Sequence, residues 1–145
     1  MTELNALPND VISNARVLAI LGPSGSGKTV LFDYLRHKYL LTNYILVDCH
    51  IDNELRQAII QNCGHDTMVI FIIQSEHELT GINPDLIFLT NPRGNEFTDT
   101  FVERYLLQRQ TFQDLLQRYT VDTPHGVLVI NRNRDTYKCR PVLMC

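Results

Sequence analysis

The chain has 145 residues and is 44% hydrophobic, which is enough for one domain with one buried core. Its formal net charge of -3 excludes the global positive field that dominates non-specific nucleic-acid binding, so any contact with DNA must be local. The cysteines show no C-x-x-C spacing, and we therefore expect reduced thiols instead of a disulfide framework; they are Cys49, Cys63, Cys139 and Cys145.

Residues 1–14 mix polar and apolar side chains around Pro8 without a sustained period, which predicts an N-terminal arm. Residues 15–145 are expected to form a single domain. The first residues lack the basic start and apolar core of a signal peptide, and no apolar run approaches the roughly 18 residues that a membrane span needs. The sequence therefore predicts a soluble, intracellular protein without a membrane span.

A glycine-rich stretch follows the apolar run Val17–Leu21 and precedes the amphipathic run 30–35. It matches the pattern Gly, four residues, Gly-Lys-Ser/Thr, which is typical of a phosphate-binding loop between a strand and a helix. Glycines let successive N–H groups turn toward one point, and the following helix adds its positive end. The pattern predicts an ATP site formed by Gly22, Pro23, Ser24, Gly25, Ser26, Gly27, Lys28 and Thr29.

The last two residues of this pattern have separate expected roles. Lys28 is expected to neutralise the β and γ phosphates, and the Thr29 hydroxyl is placed to hold Mg²⁺. The alternative is a plain Gly-Ser turn without a ligand. It is disfavoured by the lysine, the threonine and the strand and helix patterns on the two sides of the loop. The loop does not name the reaction, because kinases, motors and switches all use it.

The short apolar run Tyr44–Val47 ends in the carboxylate of Asp48. A carboxylate in this position reaches the water shell of a Mg²⁺ held by Thr29 if its strand lies beside the strand that precedes the loop. We therefore predict that Tyr44–Val47 pairs with Val17–Leu21 and that Asp48 is a metal-site residue. An ordinary strand end is the alternative interpretation.

The position after Asp48, where many ATPases place a second acid as general base, holds Cys49. A neutral thiol is a poor proton acceptor near pH 7, so a base would have to come from elsewhere. Asp52 and Glu54 start the next predicted helix, where acids are favoured by the helix dipole whatever the function. Glu76 and Glu78, in a later polar loop, are the other candidates.

Two further strand exits carry polar candidates. The run Met68–Ile73 is apolar on both faces, as in a buried parallel strand, and Gln74 after it could position an attacking water. Arg93 lies in the turn after the predicted strand 86–90 and is a candidate arginine finger. A polar strand cap and a solvated turn arginine are the plain alternatives.

The last third of the chain predicts helices and a closing hairpin. Thr98 or Asp99 can begin one helix, and Thr111 can cap its continuation. The runs 126–130 and 136–140 read as the two strands of the hairpin. Its basic residues form a modest DNA-facing candidate, with a solvated hairpin as the alternative; they are Arg132, Arg134, Lys138 and Arg140.

This order of motifs resembles the genome-packaging ATPases of large DNA viruses, within the FtsK/HerA-like P-loop superfamily. Gly22–Thr29 matches the Walker A loop, Ile45–Asp48 matches Walker B, and Val69–Gln74 matches the strand with the sensor glutamine. The resemblance implies a P-loop NTPase fold: an α/β three-layer sandwich with a mostly parallel central sheet and a C-terminal antiparallel hairpin. The short link between the loop helix and Walker B implies a compact or truncated member.

By the same resemblance, the function would be that of a Mg²⁺-dependent ATPase motor that moves double-stranded DNA into a capsid. It would work as a homo-oligomeric ring with capsid or other virion proteins as partners, in the host cytoplasm or nucleus or associated with the virion. A small nucleotide or nucleoside kinase is the competing interpretation, because the loop also looks like that of guanylate kinases. A weakly hydrolysing nucleotide-binding regulator is a third, motivated by Cys49.

Overall fold

The computed structural model describes residues 9–23, 25, 27–47, 52–64, 66–74, 76–79, 82–90, 109–122, 126–131 and 136–139. Helices and strands alternate through most of this part of the chain. In order they are α1 (Asn9–Ser13), β1 (Val17–Leu21), α2 (Lys28–Lys38), β2 (Tyr44–Val47), α3 (Asn53–Asn62), β3 (Met68–Ile73), a 3₁₀ helix (Glu76–Leu79), β4 (Leu86–Leu89), α4 (Arg109–Leu116), a π-helical turn (Gln117–Val121), β5 (Val127–Asn131) and β6 (Thr136–Cys139).

The strands form one six-stranded sheet in the order β2-β3-β1-β4-β5-β6. Strands β2, β3, β1 and β4 are parallel, whereas β5 is antiparallel to both β4 and β6. The expected α/β architecture, with a mostly parallel sheet and an antiparallel pair at its C-terminal end, is confirmed at this level.

The prediction that the strand Tyr44–Val47 pairs with β1 is wrong. Strand β2 does not pair with β1, because β3 lies between them and pairs with both. Strand β3 is apolar on both faces and buried along almost its whole length, which suits an internal strand, whereas Ile45 and Leu46 of β2 are 41% and 43% exposed, as on an edge. Asp48 therefore follows a strand that is one position farther from the glycine-rich loop than expected.

All five residues of β1 are buried, and they divide between two cores. Leu18 and Ile20 pack on the face covered by α2, together with Leu31 and Leu35. The alternate residues of β1 pack on the opposite face with α3 and α4, whose contributions are Ile59, Ile60, Phe112 and Leu116. Because β1 is held on both faces and along both edges, the loop that leaves it starts from a rigid support.

Three helices differ in detail from what the sequence predicts. The predicted arm contains the short helix α1, whose Ile12 is only 1% exposed and belongs to the core. Helix α2 ends at Lys38, with Leu40 in the left-handed region (φ 53°) and the Leu41 N–H donating to the Arg36 carbonyl at 3.0 Å. Thr111 lies within α4 and does not cap it. The helix predicted from residue 98 lies outside the described residues.

The amino edge of the sheet is tied by two side chains that the sequence prediction did not include. Asp85 Oδ2 accepts the backbone N–H groups of Arg16 and Val17 at 2.8 and 3.0 Å. Arg16 Nη2 donates to the carbonyls of Ile60 and Cys63 at 2.8 and 2.9 Å, at the C-terminal end of α3. These bonds fix the start of β1 relative to both α3 and β4.

Candidate functional site

Three strand ends meet at the carboxyl edge of the sheet. Leu21 of β1 is level with Ile73 of β3 on one side and with Leu89 of β4 on the other. The next residues of these strands are Gly22, Gln74 and Thr90, so the glycine-rich loop leaves the sheet between Gln74 and Thr90. This is the edge at which open parallel sheets bind ligands. Gln74 directly follows β3 at this edge, as the apolar run Met68–Ile73 predicted.

Backbone hydrogen bonds hold the root of the loop on both sides. The Gly22 N–H donates to the Ile73 carbonyl at 3.3 Å. On the other side the Thr90 N–H donates to the Leu21 carbonyl at 2.9 Å, and the Thr90 hydroxyl donates to the same oxygen at 3.3 Å. The root of the loop is thus anchored on both neighbouring strands.

The turn depends on two glycines with left-handed backbone angles. Gly25 has φ 80° and Gly27 has φ 90°, a region that L side chains rarely adopt. A Cβ added at either glycine would meet no atom within 4 Å. Glycine is therefore required here by backbone conformation and not by crowding, as in loops that present successive N–H groups to an anion.

Two helices begin near this edge, and their N-termini differ. Helix α3 is capped by Asp52, whose Oδ1 accepts the Leu55 N–H at 2.8 Å. Helix α2 is preceded by Gly27, which has no side chain with which to cap the first turn. The positive end of α2 therefore points into the loop without a carboxylate of its own cap residue, and this suits an external anion.

Lys28, the first residue of α2, is buried, with 9% exposure. Its Nζ donates to the carbonyl oxygens of Gly22 and Pro23, the latter at 3.0 Å. The side chain therefore folds back along the loop and places its charge over the loop root. Thr29 follows as an exposed residue in the first turn of the helix. The loop and its helix thus combine glycine angles, an uncapped helix start and a buried ammonium group.

The other predicted site residues are only partly covered by the structure. Of the loop, Gly22, Pro23, Gly25, Gly27, Lys28 and Thr29 are described, and Gln74 is described as exposed. Ser24, Ser26, Asp48, Cys49 and Arg93 lie outside the described residues. Val47, the residue before Asp48, is level with Phe71 and through it with Ala19, two residues before the end of β1.

The acids considered as a general base have distinct surroundings. Asp52 is the α3 cap, as the helix-start interpretation predicts. Glu54 is exposed in the first turn of that helix. Glu78 lies 3.7 Å from Arg56 Nη2, and the Glu78 Oε2 atom is buried without a hydrogen bond. The side chain of Glu76 lies outside the described residues.

Two residues of this edge were missed by the sequence reasoning. Thr90 is 4% exposed and anchors the loop root, and it could have been found by the rule that singled out Gln74, a polar residue directly after an apolar strand. Arg56 is 6% exposed on α3 and pairs with Glu78. Its signal in the sequence is weak, because a helical arginine is solvated far more often than buried.

Among the described residues, no group of three or more His, Cys, Asp or Glu side chains is arranged to hold a metal ion. No helix in the same part of the chain is long and apolar enough to cross a membrane. No protein-family model matches the sequence, and neither does any curated protein or solved structure.

Proposed function

We propose that the chain is a Mg²⁺-dependent ATPase that binds ATP at the loop Gly22–Thr29. The observation that carries this proposal is the buried Lys28 ammonium group, held against the loop carbonyls at the uncapped start of α2. A lysine that lies against a glycine-rich loop at a helix N-terminus is placed to neutralise a phosphate chain bound there, and the sequence pattern of this loop is that of triphosphate-binding loops.

The residues divide the work of binding. The loop N–H groups and Lys28 hold the phosphate chain, and the left-handed glycines keep these N–H groups turned inward. Thr29 and Asp48 would hold Mg²⁺, which neutralises charge that builds up on the phosphates during transfer. Thr29 fits this role because it is exposed directly after Lys28.

Gln74 is proposed to orient the attacking water, because it leaves the sheet level with Gly22 on the strand next to β1. Arg93 is proposed as an arginine finger on the sequence argument alone. Together these roles give hydrolysis of the terminal phosphate by positioning and charge stabilisation.

The biological task proposed for this ATPase is the packaging of viral double-stranded DNA by a homo-oligomeric ring that docks on capsid proteins, inside the infected cell or in the virion. This part rests on the resemblance described above and on the basic residues between 132 and 140. It requires that DNA change the rate of hydrolysis, which separates it from a nucleotide kinase and from a regulator.

The first experiment measures ATP turnover by the full chain with Mg²⁺, alone, with double-stranded DNA, and with GMP or a nucleoside as acceptor. Stimulation by DNA supports the motor. Phosphorylation of the acceptor would contradict the motor and show that the chain is a nucleotide or nucleoside kinase. ATP binding without turnover under any condition would favour a nucleotide-binding regulator. Absence of ATP binding would remove the proposal as a whole.

Lys28→Ala is expected to abolish turnover and to weaken ATP binding at least tenfold, because it removes the cation that faces the phosphates. The measurement is the rise in melting temperature that Mg²⁺-ATP produces, which wild type should show and the variant should lose. Lys38→Ala, at the exposed end of the same helix, is the matched control and should respond like wild type. An unchanged response of Lys28→Ala would contradict the site.

Gln74→Ala is expected to keep ATP affinity and to lower kcat by about 10²-fold, since a water-orienting residue acts only during the reaction. Equilibrium binding and steady-state rates measure the two effects separately. Gln61→Ala, an exposed glutamine of α3, is the control. A fall in affinity with unchanged kcat would show that Gln74 contacts the nucleotide without taking part in hydrolysis.

A further inference from the structure

The edge strand β2 leaves part of its backbone without a strand partner among the described residues. Residues Tyr44 and Met68 are level in the β2–β3 ladder, and the Met68 N–H donates to the Asn43 carbonyl at 3.0 Å. In a parallel ladder this register turns the N–H and C=O groups of Asn43, Ile45 and Val47 toward β3. The corresponding groups of Tyr44 and Leu46 therefore point away from the sheet.

The side chains of β2 do not protect this edge. Natural edge strands are usually shielded from pairing by lysine, proline, a bulge or a covering element. The four residues of β2 contain no charge and no proline, and Ile45 and Leu46 are 41% and 43% exposed on opposite faces. Leu55 of α3, 47% exposed, adds an apolar side chain on the face of Ile45. Such an edge suits pairing with another strand.

We infer that β2 is the contact through which two copies of the chain form a two-fold symmetric dimer, with β2 of one copy antiparallel to β2 of the other. The inference does not depend on nucleotide binding. Of the symmetric registers, the one that places Ile45 opposite Ile45 of the second copy uses the free groups of both Tyr44 and Leu46. It forms four inter-strand hydrogen bonds, twice as many as the registers centred on Tyr44 or on Leu46.

Charges next to the strand are self-complementary in this arrangement. Phe32 of α2 contacts the Tyr44 ring at a centroid distance of 5.5 Å, and Asp33 and Arg36 lie on the same flank of the helix, 3.7 Å apart. The two-fold axis runs perpendicular to the sheet, so the two α2 helices run antiparallel on one face. Asp33 of each copy is thereby brought toward Arg36 of the other, and no like charges meet across the strands.

A second copy is favoured over a foreign peptide because, in a two-fold dimer, the same residues of this chain supply both sides of the interface. Stable interfaces bury roughly 1,200–2,000 Å² in total. The flanks formed by Leu55, Asp33 and Arg36 widen the contact beyond four strand residues, and symmetry doubles each of these contributions. The joined sheet would have twelve strands, with the two glycine-rich loops on opposite edges because the paired strands run in opposite directions.

Disulfide trapping tests the register directly. Opposed residues of a non-hydrogen-bonded antiparallel pair have Cα atoms about 4.5 Å apart, within the range that a disulfide spans. Ile45→Cys is expected to form a covalent dimer under mild oxidation. Leu46→Cys is the matched control: its equivalent in the second copy is not opposite, so it should cross-link no more than wild type, which sets the background from the native cysteines.

Sedimentation measures the association itself. In the absence of ATP and DNA, the wild-type chain is expected to sediment as a dimer at micromolar concentration. Ile45→Lys is expected to raise the dissociation constant at least tenfold by placing two like charges opposite each other. Three results would overturn the inference: a monomeric wild type, larger open-ended species from head-to-tail pairing of β2 with β6, or equal cross-linking of the two cysteine variants. ATP binding by the same variants reports separately on the proposed function.

Discussion

The two edges of the parallel sheet use polar side chains for different purposes. At the amino edge, Asp85 accepts backbone N–H groups at the start of β1, and Arg16 donates to backbone carbonyls of α3 and the residue after it. Both charged side chains therefore stabilise the fold. At the carboxyl edge, Lys28 donates to two carbonyls of its own loop, and α2 starts at a glycine that supplies no side-chain cap. The amino edge thus joins β1 to neighbouring elements, whereas the carboxyl edge gathers a lysine and a helix N-terminus at one loop.

The amino edge also carries concave surface. Two open pockets, of about 580 and 440 Å³, adjoin Arg16 at the amino edge. Arg16, which adjoins both pockets, donates to the carbonyls of Ile60 and Cys63, while its Nε atom is buried without a hydrogen-bond partner among the described residues. The pockets and the glycine-rich loop therefore lie at opposite edges of the sheet, and the proposed ATP site rests on the loop and not on the size of a cavity.

The largest expected effect on stability lies at the amino edge. Asp85→Ala leaves the N–H groups of Arg16 and Val17 without their acceptor, and it should lower the free energy of unfolding by about 3 kcal/mol. Denaturant unfolding measures the loss, and Asp66→Ala, an exposed aspartate, should change it by less than about 0.5 kcal/mol. ATP affinity measured below the melting temperature should stay within twofold. A large loss of affinity would break the division between the edges.

A smaller loss of stability, coupled to loss of binding, is expected from Gly27→Ala. Alanine at φ 90° is strained by roughly 1–2 kcal/mol, and relief of the strain would turn the loop N–H groups away from the phosphates. Thermal unfolding with and without Mg²⁺-ATP measures both effects. Gly64→Ala is the matched control, because a Cβ there meets nothing and no left-handed angle is required. Unchanged ATP binding by Gly27→Ala would argue against a phosphate loop.

The smallest expected effect compares the two helix starts. Asp52→Ala removes the α3 cap and should cost about 1 kcal/mol of stability without changing kcat, since Asp52 binds the Leu55 N–H. Glu54→Gln, in the same turn, should cost only a few tenths of a kcal/mol. If Asp52→Ala instead abolished turnover in a stably folded protein, Asp52 would be the missing general base.

The sequence predicted those parts of the fold that depend on local pattern. Five apolar residues before a glycine-rich loop predicted β1, and the doubly apolar run Met68–Ile73 predicted a buried parallel strand. The strand order was predicted wrongly at β2, because it is decided by pairing between segments that are distant in the sequence. The signal was present in part: a six-residue strand apolar on both faces fits inside a sheet better than the four-residue β2.

The site was predictable to a similar extent. The motif located the loop, and the strand-end rule located Gln74, because both depend on a few consecutive residues. The tie between Arg16 and Asp85 was not predictable, since its members are 69 residues apart and neither belongs to a motif. The same holds for Arg56 and Glu78, which meet only because α3 and the 3₁₀ helix pack on one face.

The position of β1 in the sheet sets the order in which the molecule can assemble. Its two partners, β3 and β4, both come later in the chain, and the bond between Thr90 and Leu21 spans 69 residues. Closing such long loops is entropically slow. During synthesis, the glycine-rich loop cannot be framed on both sides until the ribosome has released the chain beyond Thr90. The earliest motif in the sequence is therefore framed only after strands that lie far later in the chain have joined the sheet.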